Sequence, residues 1–252
     1  MTAPDRLRPS WRARLLALPI GFALLLPGLT ACGGPQRLSG GCGIVVDGSG
    51  SSRETTGFNA DQQLRKDLDR FLLKAKCRNV VFAAITVNSA ASTCSSEPID
   101  LDPDEIGTTP REQVRASFRA ATLIAAQSLL KCIYDDKRND GGSDVLGGLA
   151  RIARSHPDSA GDFNVLVVSD FMHTDPHVSL YRADLGTELK REKIIDGLVD
   201  RGQISDLSSI KLTTSGYGML QGKDPAKFSQ FDAFWRSVLK DHAGVPEPLT
   251  LQ

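Results

Sequence analysis

Asp47-Gly48-Ser49-Gly50-Ser51 sets one carboxylate and two hydroxyls at alternate positions of a Gly-rich loop. These are hard oxygen donors, the kind that suits Mg²⁺. The glycines allow a tight backbone, so that Asp47, Ser49 and Ser51 can converge on one point. A second group of possible ligands follows Asp170 in Phe171-Met172-His173-Thr174-Asp175-Pro176-His177. Imidazoles beside a carboxylate suit Zn²⁺ or another transition metal. Asp170, His173, Asp175 and His177 therefore define an alternative, a metal-dependent hydrolase with a metal-bound water as nucleophile. A polar loop with no metal of its own is the plainer reading of the same residues. Ser49 is a poor candidate for a serine hydrolase, because Asp47 takes the first glycine position of the G-x-S-x-G frame.

These residues need elements to position them. The apolar run Gly43-Ile44-Val45-Val46 before Asp47 reads as a buried strand over Cys42 to Asp47. Asn59, with Gln62 three residues on, reads as the cap of a helix over 60–76. Asn79 to Asn88 is a nearly unbroken apolar run, expected of a strand covered on both faces. Pro98 to Leu101 reads as a short edge strand. Thr109-Pro110-Arg111-Glu112 reads as a capping box opening a helix that ends near Tyr134, with Val114, Phe118, Ala121, Ala125, Leu129 and Cys132 on one face. Ser143 opens another helix. Asp162 to Ser169 contains Val165-Leu166-Val167-Val168, a second buried strand, and Asp170 stands at its end. Residues 171–186 are a long loop, and a helix follows over Glu188 to Asp200. Ser209 to Thr214 is the last expected strand, and Asp224-Pro225 begins the final helix. Strands alternating with helices predict an α/β fold: a doubly wound, mostly parallel central sheet with helices on both faces. Ligands of such sheets bind at the carboxyl ends of the strands, where Asp47 and Asp170 both lie.

The D-x-S-x-S loop resembles the metal-ion-dependent adhesion site of von Willebrand factor type A domains. That resemblance implies a third hydroxyl from a Gly-rich loop opening a helix, and an Asp at the end of a later buried strand. Ser143 in Gly141-Gly142-Ser143-Asp144 stands where the family usually has Thr, and Val167-Val168-Ser169-Asp170 supplies the Asp. The Ser keeps the hydroxyl but lacks the methyl that stiffens χ1. The implied ligand set is Asp47, Ser49, Ser51, Ser143 and Asp170, holding Mg²⁺ with Mn²⁺ as the substitute ion. The implied activity is binding and not catalysis. An open position on the ion takes an Asp or Glu from a protein partner. Each of the five residues also has a plain local use, as turn residue or helix cap. A purely structural protein with a degenerate site is the remaining class.

Lys plus Arg equals Asp plus Glu, 30 each, which gives no electrostatic case for nucleic-acid binding. Arg6, Arg8, Arg12 and Arg14 followed by the apolar stretch Leu15 to Leu26 make residues 1–31 a targeting segment, too short in its apolar part for a membrane span. Leu29-Thr30-Ala31-Cys32 resembles the lipobox of bacterial lipoproteins. It implies cleavage before Cys32, lipid on that cysteine, and a membrane-anchored, extracytoplasmic protein. The Gly-rich stretch Gly33 to Gly41 reads as flexible, so the expected organisation is a tether over 32–40, a domain over 41–243 and a tail over 244–252. Cys42, Cys77, Cys94 and Cys132 remain, an even number that allows two disulfides in three possible pairings. Cys42 and Cys77 fall at the amino-terminal edge of neighbouring strands, and Cys94 and Cys132 toward the ligand face. This predicts Cys42–Cys77 and Cys94–Cys132, each needing Cα atoms within roughly 7 Å.

Overall fold

The computed structural model describes residues 36–53, 58–139, 141–156, 163–246 and 250–251. The expected targeting segment over 1–31, with its lipobox-like end, and the expected lipidation site Cys32 lie outside the described residues. Six strands form one sheet: β1 (Gly40–Asp47), β2 (Cys77–Ile85), β3 (Ile99–Asp100), β4 (Phe163–Val168), β5 (Ile210–Ser215) and β6 (Thr250–Leu251), in the order β3-β2-β1-β4-β5-β6. β3 runs antiparallel to β2, and the other pairings are parallel. Winding proceeds from β1 to β2 on one side and from β4 to β5 on the other. The direction thus reverses between β1 and β4, where the crevice of a doubly wound sheet opens. Val46 is in register with Val168, which brings Asp47 and Asp170 to the same edge of that crevice.

Side-chain alternation divides the core into two layers. Ile44, Val46, Leu166 and Val168 pack with α1 (Ala60–Lys74) and α2 (Arg111–Asp135). Val45, Val165 and Val167 pack with α3 (Val145–Arg154), α4 (Glu188–Asp200) and α5 (Pro225–Arg236). Helices therefore cover both faces, which is why the central strands read as unbroken apolar runs. Among the described residues no helix is long and apolar enough to cross a membrane.

The caps largely follow the local chemistry. The Asn59 side chain accepts the Gln62 N–H at 2.8 Å, and Asp224 accepts the Ala226 and Lys227 N–H groups with Pro225 in the first turn. The capping box expected at Thr109 does not form. Pro110 holds the N-cap position of α2 without a side-chain bond, and Glu112 turns to Arg115 at 2.5 Å. The contact with Arg115 pairs two opposite charges, whereas in the capping box Glu112 would meet an uncharged N–H. α2 also buries a face one residue on from the expected one: Arg115, Thr122, Ala126, Leu129, Leu130 and Ile133 point inward. Apolar residues surround this helix, so that Ile124 is left exposed and periodicity singles out no stripe. The expected tail contributes β6, a two-residue edge strand too short to show a pattern.

The expected disulfides are present. Cys42–Cys77 and Cys94–Cys132 have Cα separations of 5.6 and 5.8 Å. Part of the Gly-rich stretch before β1 is fastened to the domain. Arg115 Nη2 donates to the Gln36 carbonyl at 2.6 Å, and the Leu38 N–H donates to Asp102 Oδ2 at 2.9 Å. Burial pushes the Asp102 carboxyl up, but hydrogen bonds from Arg115, Leu38 and Arg111 outweigh it and hold the group well below the usual carboxylate range.

Candidate metal centre

Asp47 closes β1 with its side chain 0% exposed. Its Oδ1 accepts the Ser49 N–H at 2.9 Å. Its Oδ2 accepts the Ser143 hydroxyl at 3.2 Å and the Ser169 hydroxyl at 2.6 Å. Burial pushes the Asp47 carboxyl up, and the hydrogen bonds from Ser169, Ser49 and Ser143 oppose it. Asp170, also 0% exposed, follows β4. Its Oδ1 accepts the Met172 N–H at 2.9 Å, while Oδ2 has no hydrogen-bond partner of normal geometry among the described residues. Burial raises the Asp170 carboxyl to about 7, helped by the Asp47 charge, with the Met172 N–H and the Ser51 hydroxyl pulling the other way.

Gly48 is required by space. A Cβ there would lie 2.4 Å from the Ile133 Cγ2 of α2, so the loop rests directly on that helix. Gly50 faces open space, and nothing in its surroundings demands a glycine. Neither has a positive φ, so close approach, and not an unusual backbone, explains the first glycine. Beyond it the Ser49 and Ser51 hydroxyls lie 3.1 Å apart. The next residue, Ser52, is tied to α2 through Tyr134, whose hydroxyl donates to the Ser52 carbonyl at 2.9 Å.

Ser143 is held without being a helix cap. Asp144 caps α3, accepting the Gly147 N–H at 2.8 Å. The Ser143 backbone pairs in both directions with Thr174, at 2.8 and 2.9 Å. This leaves the Ser143 hydroxyl to Asp47. Gly142 is tight as well, since a Cβ there would meet Val87 Cγ2 at 2.7 Å and the Thr174 carbonyl at 3.0 Å.

Asp170 is followed by a backbone outlier. Phe171 has φ +63°, uncommon for a bulky residue. Its surroundings over-determine it. The Phe171 N–H donates to Ser169 Oγ at 2.9 Å, its carbonyl accepts Trp235 Nε1 at 3.1 Å, and its ring stands edge-on to Tyr217 and Trp235. Strain of this kind gathers at functional sites.

The structure thus brings Asp47, Ser49, Ser51, Ser143 and Asp170 to one place. Above them opens a cleft of about 330 Å³ whose lining includes Ser49, Ser51, Ser143, Thr174, Tyr181 and Arg182. Sequence reasoning missed Ser169, the shortest hydrogen bond to Asp47, whose one signal was a hydroxyl next to a strand-end carboxylate. It also missed Thr174, Tyr181 and Arg182, since a long loop carries no pattern that says which residues turn inward.

The imidazole cluster does not assemble. His173 is 0% exposed, its Nε2 3.5 Å from Asp175 Oδ2, whereas His177 is exposed. Asp175 Oδ1 is taken by the N–H groups of His177 at 2.7 Å and Val178 at 2.6 Å, and Oδ2 accepts Gln203 Nε2. Burial raises the Asp175 carboxyl, but His173, Gln203 and these N–H groups outweigh it and hold it well below the usual range. Among the described residues no group of three or more His, Cys, Asp or Glu side chains is placed to hold a metal ion. The Asp47 centre draws three of its five candidate ligands from hydroxyls, which stand outside that donor set.

The residues at the Asp47 centre fit a hard divalent cation. Two carboxylates are buried together, one raises the other, one oxygen lacks a partner, and neither is ion-paired to a described residue. Like charges in such surroundings repel unless a proton or a cation intervenes.

No family model and no curated protein matches the chain. Solved structures similar to it include a mutant of the PilB minor pilin from Streptococcus sanguinis, at 13% identity and a TM-score of 0.44, covering 86% of this chain and 58% of that one. Another is the human COPII-coat protein Sec24c, at 11% identity and a TM-score of 0.35, covering 77% of this chain and 28% of that one. A third is the vWF domain of the type V pili tip protein Mfa5 from Porphyromonas gingivalis, at 13% identity and a TM-score of 0.31, covering 68% of this chain and 53% of that one. These scores are too low to transfer a role, and the α/β fold rests on the strand order and layers described above.

Proposed function

We propose that this chain is a binding domain of the von Willebrand factor type A kind, and not an enzyme. It holds Mg²⁺, or Mn²⁺ in its place, at Asp47, Ser49, Ser51, Ser143 and Asp170. The observation that carries the reading is the buried Asp47–Asp170 pair with Asp170 Oδ2 unpartnered among the described residues. Hydroxyl ligands are neutral, so they would fix the ion without quenching its charge. The bound ion supplies electrophilic attraction for an incoming carboxylate. The chain's own part is to hold the two carboxylates at the crevice and to keep the hydroxyls on one side. It also shapes the cleft through which a partner's Asp or Glu enters. Lipid on Cys32 would anchor this domain at the outer side of a bacterial membrane, within reach of such partners.

Calorimetric titration with Mg²⁺ tests the ion, and capture from envelope extract with and without EDTA tests the partner. Wild type should bind one Mg²⁺ and retain a partner only without EDTA, and Asp47→Ala should do neither. Equal Mg²⁺ binding by wild type and Asp47→Ala, or capture indifferent to EDTA, would overturn the proposal. Stoichiometric zinc lost from His173→Ala would favour the hydrolase instead.

A further inference from the structure

Arg182 lies in the loop between β4 and α4 and lines the cleft over Ser49, Ser51 and Ser143. It is the one charged residue in that lining. Its guanidinium is exposed and makes no hydrogen bond or ion pair with a described residue. The loop that carries it is nevertheless well held. The N–H groups of Arg182 and Ala183 both donate to the Ser179 carbonyl at 3.0 Å, and the Leu180 N–H donates to the His173 carbonyl at 3.0 Å. Leu180 is buried between them. A fixed backbone thus presents an uncommitted cation beside the candidate centre.

Arg182 and Ser179 also line an adjoining cleft of about 420 Å³, together with Asp175, Pro176 and His177. The one carboxylate there, Asp175, is already committed to Gln203, to the N–H groups of His177 and Val178, and to the nearby His173 ring. With its side chain 4% exposed, the Asp175 carboxylate is turned to those donors, and the charged side chain this cleft presents to a ligand is Arg182. Both volumes fall in the range of ligand sites, roughly 300–1,000 Å³, and they meet at Arg182.

We infer that the partner presents an acidic segment with two carboxylates, one for the ion and a second, a few residues away, for Arg182. This rests on the metal-dependent reading of the Asp47 centre and adds the second acid to it. A planar guanidinium accepts a carboxylate through two parallel N–H···O bonds, which fixes direction as well as charge. The segment would run from the first cleft into the second across Arg182. Arg182 would then decide which acidic partners fit, and the ion would decide that an acid is required at all.

The test uses short peptides and the Mg²⁺-loaded protein. One peptide, amidated at its C-terminus as are the others, carries a single Asp in a Gly/Ser background. Its companions carry a second Asp or Glu two, three or four residues away. Affinities are read from NMR shift changes at low ionic strength. At least one two-acid peptide should bind about tenfold tighter than the single-acid peptide, in line with a charge-assisted contact that a ligand covers. Arg182→Gln should lower the affinity of the two-acid peptide about tenfold more than that of the single-acid peptide, so that the preference is erased. Raising salt should shrink the preference, because a rim charge is screened. No two-acid preference in wild type overturns the inference, as does a preference that survives Arg182→Gln. Inorganic phosphate displacing the second acid at lower concentration than a peptide would overturn it too, in favour of a phosphate site. Loss of all peptide binding in EDTA and in Asp47→Ala separates these outcomes from a failure of the metal centre, which would show as binding indifferent to EDTA.

Discussion

Asp170→Asn should make the protein more stable when metal is absent. The folded carboxyl has its pKa raised from 3.8 to about 7. Each tenfold in proton affinity is about 1.4 kcal/mol, so ionising Asp170 in the fold costs about 4 kcal/mol at pH 8. The sign follows from proton binding. A carboxyl raised by folding holds its proton in the native state at pH values where the unfolded chain has lost it. The contribution of Asp170 to stability is therefore greatest near and below pH 4, falls as pH rises toward 7, and is flat above. The amide keeps the acceptor for the Met172 N–H and removes the repulsion from Asp47. Its own burial returns part of the gain, leaving about 2–4 kcal/mol at pH 8. The assay is urea unfolding in EDTA, followed by fluorescence of the buried Trp235, at pH 4.5 and pH 8. The variant should match wild type at the lower pH and exceed it at the higher. Mg²⁺ at about a hundred times its dissociation constant should add about 2.7 kcal/mol to wild type and nothing to the variant. A variant less stable than wild type at pH 8 in EDTA, or a difference independent of pH, would refute the reasoning.

Gly48→Ala should lose Mg²⁺ binding and about 1–3 kcal/mol of stability, because its methyl would meet Ile133 Cγ2 at 2.4 Å; unchanged calorimetric affinity would count against the loop's seat on α2. His177→Ala should leave Mg²⁺ affinity within about twofold of wild type, since the side chain is exposed and outside the centre. Reducing or replacing Cys94 and Cys132, 38 residues apart, should lower stability by about 4 kcal/mol by loop entropy, measured by urea midpoint. Cys32→Ala should release the protein from the membrane fraction or leave it unprocessed, and fractionation like wild type would remove the lipid anchor.

Strands and strand-end carboxylates were legible because burial on both faces writes itself as uninterrupted Val, Ile and Leu. The positions of Asp47 and Asp170 at the crevice followed from that alone. Cys42–Cys77 followed from the neighbouring starts of two strands, and Cys94–Cys132 from the expectation that both lie toward the ligand face. What could not be read was settled by contacts between distant elements. Ser143 freed from capping depends on Asp144 taking that role, and two adjacent polar residues at a helix start look alike in sequence. Ser169 serves Asp47 only because β1 and β4 are in register. The capping box at Thr109 lost to the pairing of Glu112 with Arg115, itself part of the cluster around Asp102. That Tyr181 and Arg182 border the cleft goes with a hydrogen bond from the Leu180 N–H to the His173 carbonyl that no periodicity announces.

Cys132, Ile133 and Tyr134 are consecutive in α2, and each has a different duty toward the same loop or its support. Cys132 is bonded to Cys94, Ile133 sits under Gly48, and Tyr134 holds Ser52. A single turn of helix therefore ties thiol oxidation to the shape of the loop, with no need to pass through the sheet. A chain with Cys94 and Cys132 reduced keeps the five candidate residues but lacks this brace. If the loop takes its shape from the brace, ion binding should follow oxidation of these two cysteines and be lost on their reduction.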